Sequence, residues 1–139
     1  MRVSPAFVFD TNVFVSLALF PGPVIKHAFE KAEALGEIVL SYDTLSELVE
    51  VLLRKKFDKY LSVEDRLTFI SRVETRYRVI KTTSTITDCR DRKDNILLEL
   101  AVDVSASCLI TGDLDLLDLH PYHGIAILKA SDFLQGFSG

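Results

Sequence analysis

The chain has 139 residues, 48% hydrophobic and 26% charged, enough for one domain that buries its own core without disulfides or a structural metal. Its two cysteines, Cys89 and Cys108, form no C-x-x-C pair and have no histidine at ligand spacing, which argues against a zinc ribbon and for a reducing, cytoplasmic compartment. A formal net charge of −4 argues against wholesale wrapping of nucleic acid, yet the charges are segregated: residues 54–93 carry twelve of the 16 Lys and Arg against six of the 20 Asp and Glu, a local +6 that leaves −10 on the remainder.

Ala6 to Phe9 is an apolar run that stops on Asp10, and Val13 to Phe20 reads as the body of a helix, so Asp10 falls where a strand hands over to a helix. Asp10 and Asn12 interrupt this apolar stretch and Pro21-Gly22-Pro23 ends it early, so it reads as core rather than as a signal sequence or membrane span. Val24, Ile25, Ala28, Phe29 and Ala32 then recur at helical spacing up to a stop near Gly36. Glu37 to Ser41, around Ile38-Val39-Leu40, predicts a second strand, and Leu45, Leu48, Val49, Leu52 and Leu53 mark the clearest helix in the chain.

Ser62 with Glu64 and Asp65 opens a helix through Leu67, Ile70 and Val73, and Arg78-Val79-Ile80 predicts a third strand. Lys81 to Asp91 is polar, Thr-rich and aperiodic, a loop long enough to serve a function. Asp94 is expected to open a helix carrying Ile96, Leu97, Leu100, Ala101 and Val104; Ser107 to Thr111 is a fourth strand closed by Gly112-Asp113; Leu114 to Leu119 leaves room for a single helical turn; and Ile125 to Leu128 is a fifth strand. Strands alternating with helices predict an α/β fold with a parallel sheet of about five strands, helices on both faces and right-handed crossovers.

Four acids, Asp10, Glu47, Asp94 and Asp113, lie on segments that leave the carboxyl ends of strands, with Asp43, Asp91 and Asp115 close by. Each has a local explanation: Asp10 or Thr11 as a helix cap, Glu47 in a capping box with Thr44, Asp94 as an N-cap, Asp113 as a turn residue. Together these explanations weaken, because segment ends of this topology converge on one crevice, where several uncompensated carboxylates repel one another. A divalent cation resolves that repulsion, and a set of carboxylate oxygens suits Mg²⁺ or Mn²⁺. Such ions activate water and stabilise the leaving oxygen of a phosphodiester. His27, His120 and His123 are the only histidines, and the His120-Pro121-Tyr122-His123 stretch reads as a surface turn rather than a zinc site. The G-x-x-x-x-G-K-[ST] and G-x-S-x-G motifs are both missing, which removes P-loop nucleotide hydrolysis and serine esterase chemistry.

Val8-Phe9-Asp10-Thr11-Asn12, Ser41 with Leu45-Ser46-Glu47, Asp91-Arg92-Lys93-Asp94-Asn95 before Leu100-Ala101, and Leu109-Ile110-Thr111-Gly112-Asp113-Leu114-Asp115 resemble, in order and spacing, the signature of the PIN-domain family, closest to bacterial toxins of the VapC type. The resemblance implies that residues 1–139 form one PIN domain, a three-layer α/β sandwich with Mg²⁺- or Mn²⁺-dependent endoribonuclease activity. It further implies an antitoxin that covers the groove, and frequent homodimers. It assigns the catalytic and metal-binding acids to Asp10, Glu47, Asp94 and Asp113, with Asp115 as an accessory acid, Asp91 beside them, and Thr11, Asn12 and Thr111 as orienting residues. Arg90, Arg92 and Lys93 flank Asp94 and are candidates for gripping the RNA backbone. Leu116 stands where many of these toxins carry an aromatic residue.

Two other functions compete. A phosphatase of the HAD type also places an Asp at the end of its first strand, but wants a second acid two residues on, where this chain has Asn12. A non-catalytic PIN-like RNA-binding or regulatory module gains nothing from concentrated negative charge unless a metal sits there.

Overall fold

In a computed structural model that describes residues 4–138, the run Ala6–Phe9 is a strand (β1) buried at all four positions, so both faces of its sheet are covered. Among the described residues there follow α1 (Thr11–Leu19), α2 (Pro23–Leu35), β2 (Glu37–Ser41), α3 (Tyr42–Leu52), α4 (Val63–Arg76), β3 (Arg78–Ile80), α5 (Arg92–Asp103), β4 (Cys108–Ile110), α6 (Leu114–Leu117), β5 (Ala126–Leu128) and α7 (Ala130–Gly136). The five strands make one parallel sheet in the order β3-β2-β1-β4-β5. The predicted α/β architecture is therefore present, and all five predicted strands are found.

Alternation along the strands divides the interior in two. Phe7, Phe9, Ile38, Leu40, Cys108 and Ile110 point into a core shared with α1, α2, α3, α4 and α7, while Ala6, Val8, Val39, Leu109 and Ile127 point into a second core under α5 and α6. Aromatic rings fill the first: Phe9 stacks on Phe29 at 4.0 Å, and Phe133 of α7 meets Phe7 edge-on at 5.5 Å. Connections from β1 and β2 cover one face and the connection after β3 crosses to the other, so the chain reverses its winding between β1 and β4. That reversal opens the crevice where such sheets bind ligands.

The sequence expectations shift at several ends. The first helix begins at Thr11 rather than Val13, the third at Tyr42 rather than Leu45, and the fifth at Arg92 with Asp91, not Asp94, as its N-cap. The α3 cap is a reciprocal pair in which Ser41 Oγ accepts from the Thr44 amide at 3.0 Å and Thr44 Oγ1 accepts from the Ser41 amide at 2.9 Å, so Glu47 is not the capping-box partner of Thr44. Gly36 ends α2 through lack of room: a Cβ there would lie 2.0 Å from the Pro5 carbonyl oxygen, which accepts from the Glu37 amide. Among the described residues, no single helix is long and apolar enough to cross a membrane, and α1 and α2 are bent 120° to each other.

The Lys81–Asp91 loop is strapped to α5. Asn95, Glu99 and Asp103 recur every four residues on that helix, and their side chains take the loop's amides in turn. Asp103 accepts from Thr83 at 2.5 Å and Ser84 at 3.3 Å, Glu99 from Ile86 at 2.9 Å, and Asn95 exchanges two bonds with the Cys89 backbone at 2.8 and 2.9 Å. Asp88 adds a bond from the Tyr122 hydroxyl.

The C-terminal helix α7, unforeseen from the sequence, is held from a distance. Lys31 Nζ donates to the carbonyls of Phe133, Leu134 and Phe137 at 2.6 to 3.2 Å, satisfying the end of a helix only seven residues long. Phe133 itself is fully buried. Phe133→Ala is expected to cost about 3 to 5 kcal/mol, read as a lowered denaturation midpoint with an unchanged m-value.

Candidate metal centre

Asp10 is the residue immediately after β1, and the ladder to β4 extends to it: its amide donates to the Ile110 carbonyl at 2.9 Å. One carboxylate oxygen caps α1 by accepting from the Asn12 amide at 3.1 Å, and the other accepts from Thr111 Oγ1 at 2.7 Å. Thr111, the matching residue after β4, is fully buried and also takes the Asp113 amide on its hydroxyl at 3.0 Å. The cap of α1 thus uses one of the two Asp10 oxygens, and Thr111 holds the other.

Asp113 is the N-cap of α6, and its Oδ1 accepts from the amides of Asp115 and Leu116 at 2.8 and 3.4 Å. Asp94 sits in the first turn of α5, buried, with the N-cap role taken by Asp91. Among the described residues, Asp94, Asp113 and Asp115 each offer a carboxylate oxygen, and the three oxygens lie within 4.8 Å of one another. Asp115, an accessory acid by sequence, therefore belongs to the tightest cluster. Asp10 and Glu47 stand beside it rather than in it.

Electrostatics ties the wider set together. Burial, then the charges of Asp113, Asp91, Asp10 and Asp115, push the Asp94 carboxyl up to about 6 from an ordinary 3.8. Burial also raises Asp10, against the bonds from Thr111 and Asn12 that lower it, with Asp113 and Asp91 adding to the rise. Glu47, half-buried in the second turn of α3, is raised by burial and by Asp10 and Asp91, and is held down by the Thr11 hydroxyl and by Lys93. Asp91 thus acts on Asp10, Glu47 and Asp94 alike.

These donors fit a hard divalent cation: they are all carboxylate oxygens, Asp94 and Asp10 among them buried, and the charges of Asp113, Asp91, Asp10 and Asp115 together raise the proton affinity of Asp94. His120 is exposed, with Nδ1 accepting from the Ile127 amide at 2.9 Å, and neither it nor His123 joins an acidic cluster among the described residues, in keeping with a surface turn. Cys89 and Cys108 are free thiols, Cys108 buried in β4.

The basic stretch from Arg54 to Lys93 is less available than its charge suggested. Arg66 is fully buried and donates to the carbonyls of Leu52 at 2.9 Å and Arg54 at 3.2 Å and to Asp58, pinning the turn after α3. Arg76 and Arg78 pair with Glu33 and Glu37, and the exposed Arg90 reaches Asp115 at 3.5 Å. Arg92 and Lys93 are exposed in the first turn of α5, where the helix dipole disfavours cations. Their placement is therefore better suited to the acids and anions of the crevice than to the helix.

A model of the family described as PIN domain matches residues 6–115. Among solved structures, the chain resembles one described as VapBC2 from Rickettsia felis bound to a DNA fragment from their promoter, with a TM-score of 0.62 and 14% identity over 88% of this chain and 96% of that one. At that identity the likeness speaks for the fold. No curated protein matches the chain.

The raised Asp94 carboxyl makes the metal-free protein sensitive to pH. A folded value of about 6 above the ordinary 3.8 means that the native state binds this proton more tightly, so the stabilisation is complete below pH 4 and is lost as pH rises through about 6. The melting temperature without divalent ions is expected to fall across that window more steeply than in Asp94→Asn, which melts higher at pH 7. Added Mg²⁺ should close the difference by stabilising only the wild type.

Proposed function

Because the chain belongs to the PIN-domain family, we propose that it is a divalent-metal-dependent endoribonuclease, a hydrolase of RNA phosphodiester bonds and the toxin of a toxin–antitoxin pair. The observation that carries this reading is the convergence of Asp94, Asp113 and Asp115 at the crevice between β1 and β4, with Asp10 and Glu47 beside them. In this reading the five acids hold Mg²⁺ or Mn²⁺. When bound, the ion supplies Lewis acidity toward a phosphodiester oxygen and lowers the pKa of water. Thr111 fixes the direction of the Asp10 carboxylate and favours its charged form, and the Thr11 hydroxyl favours the charged form of Glu47. Arg92 and Lys93 take the backbone phosphates next to the scissile bond, and Arg90 can leave Asp115 for a phosphate when the acid is otherwise engaged.

Partners follow from the same reading: an RNA substrate, a cognate antitoxin that covers the crevice, and a second copy of the chain in a homodimer, all in the cytoplasm. A solved relative in fold is a VapBC2 assembly, which supports the expectation of an antitoxin.

Asp10→Asn keeps one acceptor for the Asn12 amide, turns the Thr111 bond round so that the side-chain amide donates to Oγ1, and removes the charge, so metal-dependent RNA cleavage should fall by at least about a hundredfold while the fold survives. Glu47→Gln should raise the Mg²⁺ or Mn²⁺ concentration for half-maximal cleavage by roughly tenfold. Superimposable titrations would restrict the site to the aspartates. Hydrolysis of a small phosphate monoester without cleavage of RNA would favour a phosphatase over a nuclease.

Joint replacement of Arg92 and Lys93 by Ala should weaken RNA binding at low salt and reduce the slope of log K against log salt by about 1 to 2. An unchanged slope would relegate both to solvated helix-end charges.

A further inference from the structure

Beside the acids lies a cavity of about 350 Å³ bounded by α1, the start of α2, the end of β4 and the turn from β5 into α7. We propose that it is a nucleobase subsite, which receives the base of the nucleotide adjoining the scissile phosphate. The proposal rests on the nuclease reading for its role, and on the cavity's own chemistry for its ligand.

Three observations carry it. First, the cavity adjoins the acids through shared residues: Thr111 and Asn12, which hold the two oxygens of Asp10, also line it, and Gly112 on its wall precedes Asp113. A nucleotide whose phosphate lies at the acids has its base within reach of this wall.

Second, the walls match a flat apolar ring with polar edges. Val13, Val24, Ile25 and Ala130 supply the apolar surface, and Val24 is left 43% exposed there. Ser16 and Ser131 bring hydroxyls that both donate and accept, as the edge of a base requires. Among the described residues, neither hydroxyl makes a hydrogen bond to another protein group.

Third, the lining differs in charge from the metal centre. The metal centre is crowded with acids, whereas none of the described residues lining the cavity is acidic, and its rim carries Lys129. Lys129 stands exposed at the N-cap of α7, where its ammonium, a donor only, cannot cap the helix amides. A polyanionic strand leaving the acids meets there a cation and a dry wall.

The test is a titration of the full-length protein with a nucleoside 5′-monophosphate, with and without Mg²⁺, followed by the methyl NMR signals of Val13, Val24, Ile25 and Ala130. Ribose 5-phosphate serves as the ligand without a base. The nucleotide is expected to shift those methyls and to bind about tenfold more tightly than ribose 5-phosphate. Ser16→Trp, which fills the cavity, should abolish that preference, and Lys129→Gln on the exposed rim should weaken nucleotide binding several-fold with an unchanged melting temperature.

Equal affinities for the two ligands would overturn the proposal. So would unmoved methyls, the result expected if the cavity instead receives a side chain of a partner protein, or an intact preference in folded Ser16→Trp. Should that variant not fold, wild-type binding in Lys129→Gln decides against the subsite. RNA cleavage is read separately: cleavage without nucleotide binding removes only the subsite, and nucleotide binding without metal-dependent cleavage removes only the nuclease.

Discussion

The pairing of β1 with β4 is the constraint on which the site depends. Parallel register sets Phe9 beside Ile110, so the next residues, Asp10 and Thr111, emerge side by side from the sheet and close a 2.7 Å hydrogen bond. A shift of one residue would turn Asp10 toward one of the two cores, where its charge would have no partner. The apolar alternation that buries Phe7 and Phe9 on one face and Val8 on the other therefore fixes the position of a carboxylate. Packing and chemistry are specified by the same four residues.

Around that anchor the chain departs from locally favourable choices. Burial and mutual repulsion keep Asp94, Asp10 and Glu47 at raised proton affinities, and Arg92 and Lys93 occupy a helix start that prefers acids. Elsewhere the protein follows the local rules closely: Ser41 and Ser62 cap their helices, Asp91 caps α5, and buried Arg66 finds carbonyls for its guanidinium. Departures of this kind gathered at one crevice are what mark it as the candidate site.

Most of the fold was legible because buried strands and striped helices write themselves in short-range apolar patterns. The ambiguities arose where one residue type can serve at two positions. Asp91 and Asp94 are three apart, and either could have been the cap; the fold gave the cap to Asp91 and freed Asp94 for the cluster. Thr44 and Glu47 have capping-box spacing, but Ser41 has the same spacing to Thr44 and lies at the strand end. Helix α7 was invisible because its support, Lys31 and the rings of Phe7 and Phe9, lies about a hundred positions away in the chain, beyond any local pattern. The nearness of Asp115 to Asp94 was not legible for a related reason: it depends on how α5 and α6 meet.

The strap between α5 and the preceding loop bears on how fast a substrate can be engaged. A loop of that length would ordinarily have to order itself during encounter, adding a slow conformational step and an entropic cost to capture. Here Asn95, Glu99 and Asp103 have already fixed its backbone in the free protein, so Arg90 and Asp91 stand in place beside the crevice before any strand arrives. On the proposed reading, the rate of capture is expected to respond to ionic strength through the surface charges rather than to ordering of this loop.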